Sequence, residues 1–189
     1  AWPPPAEQDF WNRHAELSPA ITYDRAFHVV ADSGSVYFGS SADDHLTCLD
    51  AATGQVRWRY ATEGPIRLAP VLAGGRVLVG SDDGCVHCVQ ASDGRPLWRQ
   101  RVAPEDRRIP GNGRMVSYWP VRGGLVVRGD RVICGAGLFP PADVFLACLS
   151  IATGELIWRQ VAERMPIEGY LLASERSIYA PPPRYWCRF

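Results

Sequence analysis

A sixteen-residue frame occurs three times in this chain without a gap, at His45–Tyr60, Cys85–Gln100 and Phe145–Gln160. Each copy holds a cysteine between aliphatic residues (Cys48, Cys88, Cys148) and then a turn pair, Thr53-Gly54, Asp93-Gly94 or Thr153-Gly154. Each ends on a Trp-Arg pair whose ring, Trp58, Trp98 or Trp158, follows the glycine by four residues. A chain made of copies of one unit must bury each copy against the next. The apolar residues alternate with period two, which selects strands over helical repeats. Leu46 and Cys48 fall on one face of their strand and Leu49 on the other. A sheet that is apolar on both faces must lie between other sheets.

Trp58 and Trp98 are 40 residues apart, whereas Trp158 follows 60 residues later, so about twenty residues are inserted into the third unit. A period of about 40 with strand chemistry is the length of a four-stranded propeller blade. The fold expected is all-β: antiparallel four-stranded blades, about three and a half of them, forming an open arc of a partial β-propeller. The blades fall at 26–62, 66–103, 121–162 and, incomplete, 169–180. Residues 1–25 form a lead-in whose Asp9–Leu17 stretch is the one place for a helical turn, and 181–189 form an irregular or truncated tail. The first strands of the first two blades are expected at Phe27–Ala31 and Ala69–Leu72. Gly54, Gly94 and Gly154 supply the left-handed backbone that a tight hairpin needs. The repeated tryptophans are expected to tie neighbouring blades together, each worth roughly 3–5 kcal/mol by the cost of truncating a buried aromatic ring.

The Thr/Asp-Gly-x-x-x-Trp pattern resembles the tryptophan-docking motif of the PQQ-like, quinoprotein-type propeller repeats. Such repeats occur in quinoprotein alcohol dehydrogenases and in BamB-like propellers. Val36–Asp44 and Ile109–Met115 also resemble bacterial PQQ-binding-like repeat proteins. The resemblance covers residues 26–180 and implies a propeller of seven or eight blades, of which this chain supplies three and part of a fourth. It further implies a larger bacterial parent protein in the periplasm or cell envelope. The chain departs from the pattern at Pro181–Phe189, where another Thr/Asp-Gly-x-x-x-Trp hairpin would follow. An isolated arc would leave apolar faces and strand edges open, which invites association.

Function is less constrained, because one propeller hosts many activities. Lys plus Arg and Asp plus Glu balance at 20 each, so no charge excess points to nucleic acid or an anionic membrane, and no apolar stretch is long enough to span one. In quinoprotein dehydrogenases the quinone lies between a Trp and a vicinal Cys-Cys disulfide, with calcium held by Glu, Asn and Asp. This chain has no adjacent cysteine pair, so no cofactor is expected of it, and PQQ with calcium would need blades beyond these. Cys85-x-x-Cys88 has zinc-like spacing but sits on a strand, where residues three apart face opposite ways, with His87 expected to point away from both. No metal site is therefore expected. Disulfides among Cys48, Cys88 and Cys148 are disfavoured, since equivalent positions on stacked sheets lie about 10 Å apart and a bridge needs Cα atoms within about 7 Å. His14, His28, His45 and His87 read as surface or strand filler, and Asp43-Asp44 and Asp82-Asp83 as turn residues.

The insertion Pro104–Pro120 is the most individual segment. Arg107, Arg108, Arg114, Tyr118 and Trp119 would suit an acidic or aromatic partner, or the loop packs over its own blade. The expectation is a non-catalytic repeat scaffold that meets a protein or ligand partner, or the remaining blades of its own propeller. The alternative is the propeller portion of a PQQ-dependent dehydrogenase.

Overall fold

The computed structural model describes residues 28–111, 113–138, 143–162, 167 and 169–180, with the backbone of Cys187 and Arg188. The strands β1 (Val29–Asp32), β2 (Ser35–Gly39), β3 (His45–Asp50) and β4 (Val56–Ala61) form one four-stranded antiparallel sheet in chain order. The second sheet repeats this with β5 (Val71–Ala73), β6 (Arg76–Gly80), β7 (Cys85–Gln90) and β8 (Pro96–Arg101). A hairpin of β9 (Arg108–Gly111) and β10 (Arg114–Ser117) follows, and then the short β11 (Gly123–Gly124). The third sheet contains β12 (Val126–Arg128), β13 (Arg131–Ala136), β14 (Phe145–Ser150) and β15 (Leu156–Val161). Next, β16 (Gly169–Tyr170) pairs parallel with β11. The strands β17 (Leu172–Ala173), β18 (Ile178–Ala180) and β19 (Cys187–Arg188) make a three-stranded sheet. The described residues are thus all β, in blades whose strands run consecutively, as the repeat requires.

The sheets stack through the two-sided strands. On β6 and β7, Val77, Val79 and Val89 pack with Tyr37, Leu46 and Trp58 of the first blade. Leu78, Val86 and Cys88 face the other way and pack with Val132, Cys134 and Leu149 of the third. All six of those β6–β7 residues are at most 1% exposed. Burial of one such aliphatic side chain is worth about 1.5–3 kcal/mol, so the seams between sheets form the core.

Each blade also receives one aliphatic residue from the segment that leads out of it. Ile66 lies over Gly39, Val121 over Gly80 and Ile167 over Gly135. A Cβ on those glycines would fall 2.0, 2.6 and 2.4 Å from the aliphatic side chain, so the end of the second strand must stay bare for the chain to cross it.

Several local expectations shift. The first strands start later than expected, at Val29 and Val71. Ala69 is unavailable to the ladder because its N–H bonds the Tyr170 hydroxyl at 3.2 Å. The insertion contains the β9–β10 hairpin. The tail expected to be irregular contributes β19, whose Cys187 and Arg188 pair with Ala180 and Tyr179. Asp9–Leu17, the lead-in and His14 lie outside the described residues.

Candidate functional site

The three tryptophans occupy one register position, Trp58 opposite Cys48, Trp98 opposite Cys88 and Trp158 opposite Cys148. A β-bulge follows each cysteine, and bulges re-aim the side chains beside them. The Trp58 indole N–H donates to the Ala91 carbonyl of the next blade at 3.0 Å, and its ring lies on Gly94. Trp98 repeats this with the Ile151 carbonyl at 2.9 Å and Gly154. Trp58 is buried and Trp98 and Trp158 are half-buried. Trp158 lines a groove of about 450 Å³ with Ile133, Cys148 and Ile178.

Among the described residues a dense polar constellation surrounds the β6–β7 turn Ser81-Asp82-Asp83-Gly84, whose aspartates the sequence marks only as turn residues. All four residues are buried. The turn is wedged between two blade-to-blade segments: the Asp82 N–H bonds the Pro65 carbonyl at 2.9 Å, and the Ser117 and Val121 N–H groups bond the carbonyls of Asp82 and Ser81 at 2.7 and 3.0 Å. Arg122 grips the Asp82 carboxylate with two bonds of 2.9 and 2.8 Å, and Arg67 adds one of 2.7 Å. Asp83 accepts from the Cys85 N–H, from His87 Nε2 at 2.9 Å and from Arg99 at 3.3 Å. The other ring nitrogen of His87 meets the Tyr60 hydroxyl at 2.9 Å. Burial pushes the Asp83 carboxyl up, but the His87 hydrogen bond and charge, with the Cys85 N–H and Arg99, hold it below the ordinary carboxylate value. Arg99 continues into Glu63 with bonds of 2.9 and 3.1 Å, and Arg108 of the insertion joins Glu63 at 2.6 Å.

Two expectations are corrected here. His87 is no filler, being 2% exposed and bonded at both ring nitrogens. It also shares its strand face with Cys85, two residues away, because side chains alternate along a strand; both meet Asp83. Asp82-Asp83 does form a turn, yet a buried one paired to arginines. A signal for it existed: Pro65-Ile66-Arg67 and Pro120-Val121-Arg122 are a second repeat, and its two arginines converge on one carboxylate.

The insertion spends its charges on the fold. The Arg107 guanidinium lies 4.3 Å from the Tyr118 ring centre. Arg108 pairs with Glu63 and Asp106. Arg114 pairs with Asp44 and donates to the Ala42 carbonyl at 3.2 Å, which ties the hairpin back to the first blade. Burial raises the Asp44 carboxyl despite Arg114 beside it. Trp119 is 7% exposed, meeting the Tyr118 ring edge-on and the Phe145 ring at a tilt. Pro110 is exposed opposite Met115, which is 51% exposed.

Cys48, Cys85, Cys88, Cys134 and Cys148 are free and buried. Burial pushes the Cys88 and Cys134 thiols up, to about 11 and about 12, so they are packing groups and poor nucleophiles. The Cys85 sulfur lies 3.4 Å from Arg99 Nε, while Cys88 packs on the opposite face, so the pair cannot aim at one ion. No cluster of three metal-type ligands occurs among the described residues. No helix there is long and apolar enough to cross a membrane.

The profile of the family described as outer membrane protein assembly factor BamB matches residues 5–167. The chain is 29% identical over 159 residues to the dehydrogenase subunit of the quinone alcohol dehydrogenase of Acetobacter aceti, covering 78% of this chain and 20% of that protein. It is 34% identical over 97 residues to BamB of Pseudomonas aeruginosa, covering 50% and 22%. This chain therefore spans about a fifth of the length of these curated relatives. Among solved structures it matches BamB of Moraxella catarrhalis with a TM-score of 0.62 at 18% identity, over 83% of this chain and 42% of that one. The quinohemoprotein alcohol dehydrogenase of Comamonas testosteroni gives 0.66 at 17% identity, over 81% and 28%. The computationally designed Ika4 protein gives 0.62 at 16% identity, over 87% and 90%. These likenesses establish the β-propeller fold.

Proposed function

Because this chain belongs to the PQQ-type propeller repeat family described as outer membrane protein assembly factor BamB, we propose that it is a non-catalytic repeat scaffold within a larger bacterial envelope protein. Its role is to present a shaped surface to a protein partner. The observation that carries this reading is the state of Asp82 and Asp83. They are the acidic pair best placed to bind a metal or move a proton, and both are buried and saturated by arginine and histidine of the fold. A buried carboxylate held by guanidinium and imidazole donors is committed to the fold, because removing it from them leaves a buried charge uncompensated.

The contact surface proposed is the face of the insertion hairpin that carries the exposed Arg108, Pro110 and Met115. An exposed methionine and proline beside an arginine have the chemistry of an interface centre. The bacterial cell envelope is the proposed location, in line with the BamB family.

The similarity to quinone alcohol dehydrogenases supports a second reading, that the chain is the propeller portion of such an enzyme. The residues described here do not fit the quinone and its calcium: the cysteines are separate and the buried carboxylates are already paired. Blades beyond this chain would have to supply that site. The test is to add PQQ and calcium to the 189-residue chain and look for quinone absorbance that co-migrates with protein. The scaffold reading expects none, and stoichiometric retention would overturn it. For the surface, a crosslinking partner should be recovered with the natural chain and lost with Met115→Glu.

A further inference from the structure

Three grooves follow the seams between blades on the side of the strand-one to strand-two turns. The groove between the first and second blades, of about 400 Å³, is lined by Asp32, Tyr37, Leu72, Gly75, Arg76 and Ala91, among others. The next, between the second and third blades and of about 240 Å³, is lined by Ala73, Gly74, Arg76, Asp130, Ile151 and Ala152, among others. Arg76 is common to both.

Arg76 differs from its counterparts in the repeat. Ser35 holds that place in the first blade and bonds Arg57 at 2.7 Å, and Arg131 holds it in the third and lies 3.7 Å from Asp130. Among the described residues Arg76 has no ion-pair partner; it makes a long bond of 3.4 Å to the Gly74 carbonyl, and its Nε is buried without an acceptor. An arginine carries five donors, and a buried donor left unmatched is costly to the fold. The turn beside it is Gly74-Gly75, with φ of +54° and +72°. Two glycines there close the hairpin and leave no side chain to roof the guanidinium.

We propose that Arg76 and the two grooves it lines form a binding site for the acidic side chain of a peptide segment. The guanidinium offers a forked donor pair to a planar carboxylate. The walls, Leu72, Ala73, Ala91 and Ile151, are apolar and suit the small side chains that flank it. Asp32 and Asp130 at the rims disfavour a doubly charged phosphate more than a singly charged carboxylate, because repulsion grows with charge. The site is separate from the insertion hairpin and does not depend on that surface.

The test uses the 15N-labelled 189-residue chain titrated with N-acetyl-alanyl-aspartate amide, the matching asparagine peptide and inorganic phosphate. The aspartate peptide should shift the Arg76 Nε–H and the amides of Gly74, Gly75 and Ala91, and the asparagine peptide should bind at least about tenfold more weakly. Arg76→Gln should abolish the shifts with little change in thermal stability, since Arg76 has no ion-pair partner among the described residues. Absence of shifts up to about 10 mM peptide, a concentration that reports even weak sites, would overturn the site. Shifts unchanged in Arg76→Gln would do the same, and tighter binding of phosphate than of the aspartate peptide would overturn the carboxylate assignment.

Discussion

Trp58 and Gly94 belong to different blades, and the ring of one lies where the Cβ of the other would be, 2.6 Å from the nearest ring atom. The glycine is therefore held twice, by its φ of +73° and by the ring above it. Gly34 has a similar φ of +75° and nothing within 4 Å. Gly34→Ala should cost only the left-handed backbone penalty, about 1–2 kcal/mol. Gly94→Ala should cost a further 1–3 kcal/mol, roughly, because the ring must move. Urea denaturation of both variants checks this, and equal losses would show that the ring does not rest on the glycine.

Trp98 makes the equivalent contact with the third blade. Trp98→Ala should lose roughly 3–5 kcal/mol. Trp98→Phe keeps most of the packing but strips the Ile151 carbonyl of its donor, a loss of about 1 kcal/mol beyond the change in ring size. Amide exchange in β14 and β15 should accelerate in the alanine variant more than in β1 and β2, since the second seam opens and the first does not.

Asp82 is the joint of the blade-to-blade segments, with Arg67 3% exposed at its side chain and Asp82 1%. Removing one partner leaves a buried charge without compensation, which costs about 3–5 kcal/mol. Asp82→Ala removes the carboxylate that both arginines bond and should be the most damaging single change in the cluster, while Arg67→Met leaves Asp82 with Arg122. Thermal melts should rank Asp82→Ala below Arg67→Met, and the reverse order would show that Arg122 alone does not hold the turn.

Glu63 gives a pH signature. Its hydrogen bonds to Arg99 and then to Arg108 lower its carboxyl from 4.5 to about 2. A carboxyl with a depressed folded-state value stabilises the protein above the unfolded value and loses that contribution as the pH falls toward the folded one. The contribution of Glu63 should thus be complete above its unfolded value near 4.5 and fade as the pH drops toward 2. Half of its side chain is exposed, at 51%, so salt should weaken the effect. Carbon-detected titration of the Glu63 carboxyl checks the value, and Glu63→Gln should flatten that part of the stability curve.

The blades were legible in the amino-acid sequence because the chain states them three times. Period-two alternation, the turn glycines and the tryptophan spacing are local properties, and a strand that is apolar on both faces admits few environments. What Trp58 touches was not local: the Ala91 carbonyl is 33 residues away, and only stacking of one blade on the next brings it there. The Asp82–Arg67–Arg122 joint needed tertiary structure for the same reason, since its members come from three segments and an Asp-Asp-Gly turn looks the same whether solvated or buried. His87 shows the limit most plainly. Alternation alone places it with Cys85, and its bond to Asp83 lies within its own blade, but its bond to Tyr60 exists because the second blade lies against the first. The sequence by itself determined the unit and its repetition; only the packing of unit on unit decided which polar residues are buried, because burial depends on the neighbouring sheet.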